Sequence, residues 1–200
     1  MKDSYTTIGA PAEAILYKEK NSKFLGFAYH VKSTSETETF LQHIRTQHPK
    51  ANHHCYAWRL GTENLSYRAN DDGEPSHSAG QPIYGQILSF GLTNILVIVV
   101  RYFGGTKLGV GGLISAYKTT AQLTLESCVV LEKVIEYPMT LRYSYDKTSA
   151  VMRIINENNL TITEQEFTDI CRIHLLVPKS LFEKCKEHFQ SIFGAEVVSK

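Results

Sequence analysis

Two hundred residues, 42% hydrophobic and 20% charged, hold enough apolar material for one large core or two small ones, which excludes a disordered chain. Twenty-one basic residues against 20 acidic ones leave a net charge of +1. That balance excludes a protein that coats nucleic acid through bulk charge and leaves room only for a local basic patch.

The opening MKDSYTTIGAP holds no apolar stretch of the signal-peptide kind. Residues 4–8, 14–18 and 24–31, rich in Tyr, Phe, Ile and Thr, predict strands. Ser35 is placed to cap a helix over residues 36–47, with Glu38 three residues on completing a capping box. Phe40, Leu41 and Ile44 fall at helical spacing and predict its buried face. Strands follow over 53–60 and 65–69, then a polar turn-forming loop over 70–75. A second helix is expected from about Ser78 to Phe90, with Pro82 in its first turn.

Residues 94–102 form the strongest predicted strand. Their aliphatic side chains barely alternate with polar ones, so both faces are expected to be covered. The aliphatic run Ile95 to Val100 is far short of the ~20 residues a membrane helix needs. A glycine-rich loop over 103–112 leads to a helix over 113–127, with Leu113, Ala116, Tyr117, Thr120 and Leu123 expected inward. A strand over 129–135 closes this part. Past Tyr137-Pro138 the order becomes strand, helix, strand, strand, helix, strand, at 139–143, 145–158, 161–167, 170–177, 180–192 and 195–198. That is the ferredoxin-like split unit. Its helices repeat Val151, Ile154 and Ile155, then Leu181, Phe182, Cys185 and Phe189. The reading is an α+β chain of two domains, residues 1–136 and 137–200. Four cysteines without CxxC spacing predict reduced thiols in a cytoplasmic protein.

Two constellations carry candidate chemistry. In the first, Gly104, Gly105, Gly109, Gly111 and Gly112 join a strand to a helix start, flanked by Arg101 and Lys107. Free N–H groups there can hold an anion or a nucleic-acid backbone. The same glycines equally serve close packing of loop on sheet. At least one of Gly109, Gly111 and Gly112 is expected to need a positive φ, with Gly109→Ala expected to leave melting nearly unchanged. The loop is neither GxxxxGK followed by Ser or Thr, nor GxGxxG in register.

In the second, Asp71, Asp72 and Glu74 crowd three carboxylates into four residues. They suit a divalent cation or acid–base work, or the capping of nearby N–H groups in a turn. Strand alternation puts His53 and Cys55 on one face, two ligands short of a structural zinc site. No metal or cofactor is therefore expected. Lys23 beside Phe24 on a strand suits RNA contact, or a solvent-facing edge. Tyr56, Trp58 and Tyr102 suit stacking platforms, or a core. The favoured functional surface is where Arg101 to Gly112 meets His53, Asp71, Asp72, Glu74 and Ser78.

Three stretches also carry a family resemblance: NSKFLGFAYHV (21–31), HPKANHHCYAWRLG with DDGEPSHSAGQP (48–61 and 71–82), and VVRYFGGTKLGVGGLISAY (99–117). In this order they resemble the YigZ/IMPACT family, whose eukaryotic members include a translation regulator. The resemblance implies a first domain similar to ribosomal protein S-five domain 2, as in elongation factor G domain IV. The second domain then resembles that factor's domain V. It implies a non-enzymatic regulatory or binding protein near translation that contacts RNA, the ribosome or a translation factor, with no membrane and no DNA specificity. The alternative is an enzyme acting on a phosphorylated small ligand at the same junction, and a third class is a protein-only adaptor using residues 137–200. The eukaryotic regulator's extra partner-binding domain has no counterpart here, so that partnership does not transfer. His77 stands where the family commonly has glycine, and Ser115 where it commonly has arginine.

Overall fold

The computed structural model describes residues 3–12 and 14–198. The N-terminal elements are β1 (Ser4–Ile8), β2 (Ile15–Glu19), β3 (Ser22–His30), α1 (Thr34–Gln47), β4 (His53–Leu60), β5 (Ser66–Asn70), α2 (Gly80–Ser89), β6 (Ile95–Tyr102), α3 (Gly109–Glu126) and β7 (Val130–Val134). Five of the strands form an antiparallel sheet in the order β2-β3-β6-β4-β5, while β1 and β7 pair separately.

The central strand β6 explains the layering. Ile95, Val97 and Val99 pack with Ile83 and Ile87 of α2 and Leu113 and Tyr117 of α3. Leu96, Ile98 and Val100 pack with Leu41 and Ile44 of α1 and with Trp58. Both faces are covered, which is why the run shows no polar alternation. Tyr56 and Trp58 belong to the second core, so they are packing residues and not stacking platforms. The same register carries Arg101 onto the α2/α3 side and Tyr102 onto the α1 side.

Local signals moved two boundaries. Ser33, not Ser35, caps α1: its Oγ accepts from the Glu36 N–H at 3.2 Å, and Glu36 accepts from the Lys32 N–H at 2.9 Å. The helix thus begins two residues earlier than the Ser35–Glu38 box implied. α3 begins at Gly109, so Gly109, Gly111 and Gly112 lie in its first turn and not in a loop. Leu113, Ala116, Tyr117 and Thr120 are buried as expected, whereas Leu123 is 37% exposed.

The remaining elements are β8 (Glu136–Ser144), α4 (Thr148–Glu157), β9 (Thr161–Glu166), β10 (Ile170–Pro178), α5 (Phe182–Gln190) and β11 (Ala195–Val198), with single 3-10 turns leading into both helices. The sheet is antiparallel in the order β11-β8-β10-β9. Val151, Ile154, Ile155, Cys185 and Phe189 bury against Leu141, Ile173 and Leu175. Leu181 and Phe182 are half-buried at the margin of this core.

The chain divides into two compact units, residues 5–133 and residues 134–198 together with Asp3 and Ser4. Mixed α and β structure fills both. Among the described residues no helix is long and apolar enough to cross a membrane. Tyr137-Pro138 is not a linker. Both residues lie in β8, opposite Val177 and Leu176. Proline is tolerated there because, among the described residues, β11 reaches only as far as Thr140, leaving that edge unpaired. Between β7 and β8 stands only Ile135, which is buried.

Limited digestion with subtilisin is therefore expected to cut first in the exposed turns at residues 62–65 or 167–169, and to spare 136–138. Mass analysis of the first fragments checks this. An initial cut beside Pro138 would mean that β8 does not hold that segment.

Candidate functional site

β4 and β6 run antiparallel with His53 opposite Arg101, so the start of one strand and the end of the other share one edge of the sheet. The loop after β5 and the loop between β6 and α3 close over that edge.

Each carboxylate of the acidic loop holds a different piece of backbone or charge. Asp71 Oδ1 accepts from the N–H groups of Ala79 (2.9 Å) and Gly80 (2.8 Å), and Oδ2 from His77 (2.8 Å). This caps α2, whose own N-cap residue, Ala79, makes no side-chain bond. Asp72 accepts from the His54 N–H at 2.6 Å and pairs with Arg45 at 3.4 Å. Its carbonyl lies 2.8 Å from His53 Nδ1. A carbonyl only accepts, so that nitrogen carries the proton and Nε2 is left toward Glu74 Oε1, 3.9 Å away. His54 itself faces the other core, where burial lowers its pKa below the ordinary imidazole value. Among the described residues no three His, Cys, Asp or Glu side chains converge as a metal site.

Glu74 is 9% exposed and accepts two bonds at one oxygen, from Arg101 Nη1 at 2.6 Å and from the Tyr117 hydroxyl at 2.7 Å. Arg101 is 5% exposed, with its guanidinium 5.5 Å from the rings of both Phe24 and Phe103. Its Nη2 lies 3.4 Å from Ser22 Oγ, and its Nε has no partner among the described residues. The Cys55 thiol, between the Asp71 carbonyl (3.0 Å) and the Tyr117 oxygen (3.2 Å), is pushed up in pKa mainly by burial. Burial likewise raises the Tyr117 hydroxyl far above its ordinary value. Ser78 is fully buried, donating to the Pro75 carbonyl at 2.6 Å. His77 sits at φ +63°, in the left-handed region that glycine adopts without strain. Ser115 is exposed on α3.

Above this network opens a cleft of about 460 Å³. Its floor is His53, Glu74 and Arg101, and its walls include Phe103, Leu108, Val110 and Leu113. Lys107 is exposed at the rim. Leu108, the N-cap residue of α3, makes no side-chain cap bond, and among the described residues no side chain is seen to accept from the first-turn N–H groups beside Lys107. The glycines divide by task. A Cβ on Gly104 would fall 2.0 Å from the Asn21 carbonyl carbon, so that position serves close packing. Gly109 has φ +75° in open space; Gly105 and Gly111 face open space, and a Cβ on Gly112 would meet Leu108 at 3.1 Å.

The structure thus brings together His53, Glu74, Arg101, Lys107 and Gly109. It does not bring Lys23 with them. That lysine pairs across to Tyr102 and lines a separate cleft on the α1 side. Asn52 lay outside the surface expected from the sequence, and Phe103, Leu108 and Val110 lay within its 101–112 span without being singled out. Their one signal was adjacency to motif residues. Tyr117 was read as an inward residue, and its bond to Glu74 carried no local signature.

Residues 20–125 match the family model for the Impact N-terminal domain. The chain is similar to an IMPACT family member of Haemophilus influenzae, 32% identical over 185 residues, covering 90% of this chain and 88% of the relative. It is similar also to the IMPACT family member YigZ of Escherichia coli, 28% identical over 178 residues, covering 88% and 87%. A crystal structure of a hypothetical protein superposes with a TM-score of 0.75 at 24% identity, covering 100% of this chain and 98% of that one. That likeness is one of fold.

Two stability outcomes follow from the network. Glu74→Ala leaves Arg101 buried and unpaired and is expected to cost about 3–5 kcal/mol. Replacing both residues by apolar side chains should cost less than the sum of the single changes, as a double-mutant melting cycle would read. Gly109→Ala, contrary to the sequence expectation, should lower stability by about 1–2 kcal/mol because its φ is left-handed. Gly111→Ala should be neutral or stabilising by up to ~1 kcal/mol, since nothing opposes the added methyl and alanine favours helix. Equal melting of the two alanine variants would refute the assignment of strain to Gly109.

Proposed function

This chain belongs to the IMPACT family, and on that premise we propose that it is a non-enzymatic regulatory protein of translation whose cleft beside α3 holds RNA, free or in the ribosome. The observation that carries the reading is a division of labour. Glu74 and Tyr117 are committed to bonds inside the site, while exposed Lys107, the first turn of α3 and exposed Phe103 face outward. Such a rim suits an anionic backbone with neighbouring bases. The cytoplasmic setting of translation accords with four free cysteines.

The finer fold assignment belongs to the same proposal. We read residues 5–133 as ribosomal protein S-five domain 2-like. Residues 134–198 are read as ferredoxin-like, a reading supported by their β-α-β-β-α-β order and by the sheet order β11-β8-β10-β9. The pair then parallels domains IV and V of elongation factor G, which supports work at the ribosome by analogy of fold. An enzyme acting on a phosphorylated ligand finds less support. Burial raises Cys55 and Tyr117 above their ordinary pKa values, and Glu74 is bound by Arg101.

Binding to total RNA and to purified ribosomes, followed across salt concentration, tests the reading. Moderate, salt-sensitive affinity is expected from a chain with few local cations. Lys107→Ala should reduce the salt slope by about 0.7. Arg101→Ala should act by unfolding the site. A folded Lys107→Ala variant with an unchanged slope would move the interface elsewhere.

A further inference from the structure

Phe103 lines two clefts at once. On one side is the cleft of Lys107 and His53. On the other is a cleft of about 450 Å³ that includes Lys23, Asn21, His48 and Tyr102. Phe103 is 44% exposed, with its backbone fixed by its neighbours and its ring against one buried side chain. Its backbone N–H donates to Asn52 Oδ1 at 2.8 Å. The Arg101 guanidinium lies 5.5 Å from the ring centroid. Gly104, next in the chain, sits so close to the Asn21 backbone that no side chain fits. One face of the ring covers Arg101, and the part left open to solvent is a ready stacking surface.

The charge around the ring matches a polyanion. The linings of the two clefts hold Lys23, Lys107 and Arg101 against one carboxylate, Glu74, which Arg101 already pairs. Lys23 and Lys107 are exposed and have no ion-pair partner among the described residues. In the second cleft His48 lies 2.9 Å from the Tyr102 hydroxyl, and burial lowers its pKa, leaving Lys23 as the cation there. A cation, a ring and a cation in succession match phosphate, base and phosphate along one strand. A duplex keeps its bases stacked inside and cannot present one to a ring between clefts.

We infer that the two clefts form one track for single-stranded RNA, with a base stacked on Phe103 and phosphates beside Lys23 and Lys107. The inference rests on the RNA reading above and adds the strand form, the stacking residue and the second cleft. Fluorescence anisotropy of the full chain with a labelled single-stranded RNA of about 12 nucleotides, and with its duplex, provides the test. The wild-type chain is expected to prefer the single strand. Phe103→Leu should weaken binding roughly tenfold, while Phe103→Tyr, which keeps the ring, should bind within about twofold of wild type. Lys23→Ala and Lys107→Ala should each reduce the salt slope by about 0.7. Thermal melting of each variant accompanies the titrations, and exposed Lys23 provides a variant whose folding is not in question. If wild-type binding is intact but Phe103→Leu binds equally well, the duplex binds as tightly, or Lys23→Ala keeps the full slope, the track is wrong and the RNA reading stands. If the wild-type chain binds neither form of RNA, the track is wrong, and if it also binds neither total RNA nor ribosomes, both fall.

Discussion

The buried contact of Glu74 with Arg101 and Tyr117 ties three segments into one site. Glu74 comes from the loop after β5, Arg101 from the end of β6 and Tyr117 from the middle of α3. Each alone would be a poor choice for an interior. A buried guanidinium or carboxylate costs several kcal/mol to desolvate, and only the partner with good geometry offsets that. The loop can therefore close only when strand and helix are both in place. Closure in turn puts Asp71 where it caps α2 and Asp72 where it holds the start of β4.

This arrangement changes the meaning of the charged motif residues. A sequence rich in Asp, Glu, Arg and His around glycines invites a catalytic or metal reading. Here the same residues make the architecture, and the exposed features sit one step out from them: Phe103 beside Arg101, Lys107 in the following turn, and the first turn of α3. Burial also selects which groups keep reactivity. Burial pushes the Cys55 thiol and the Tyr117 phenol above their ordinary pKa values, which favours their protonated forms in the bonds that fix the loop.

Glycine serves the site in two physically separate ways. Gly104 lets the strand end lie against the Asn21 backbone, next to Phe103 in the chain. Gly109 supplies the left-handed φ that turns the chain into α3. The first is a matter of space and the second of backbone conformation. One glycine-rich string thereby both packs a strand end and opens a helix.

Much of the fold was written locally. The unalternating run of β6 announced a strand covered on both faces, the stripe Val151, Ile154, Ile155 announced a helix on a sheet, and three motif strings identified the family. These signals survive in sequence because side-chain periodicity is set by the helix or strand itself. The capping serine of α1 was misplaced by two residues because several Ser and Thr side chains in a row are chemically equivalent caps until the backbone chooses one. Tertiary structure alone decided where each carboxylate goes, since Glu74 meets Arg101 across 27 residues and Asp71 reaches forward to α2. It alone separated Lys23 from Arg101, because strand register places them on opposite faces, and it alone set Phe103 between two clefts. The capping role of the acidic loop was legible as one of its alternatives, and Asp71 fills it; the pairing of Glu74 with Arg101 was not, because desolvation and pairing exist only once distant segments meet.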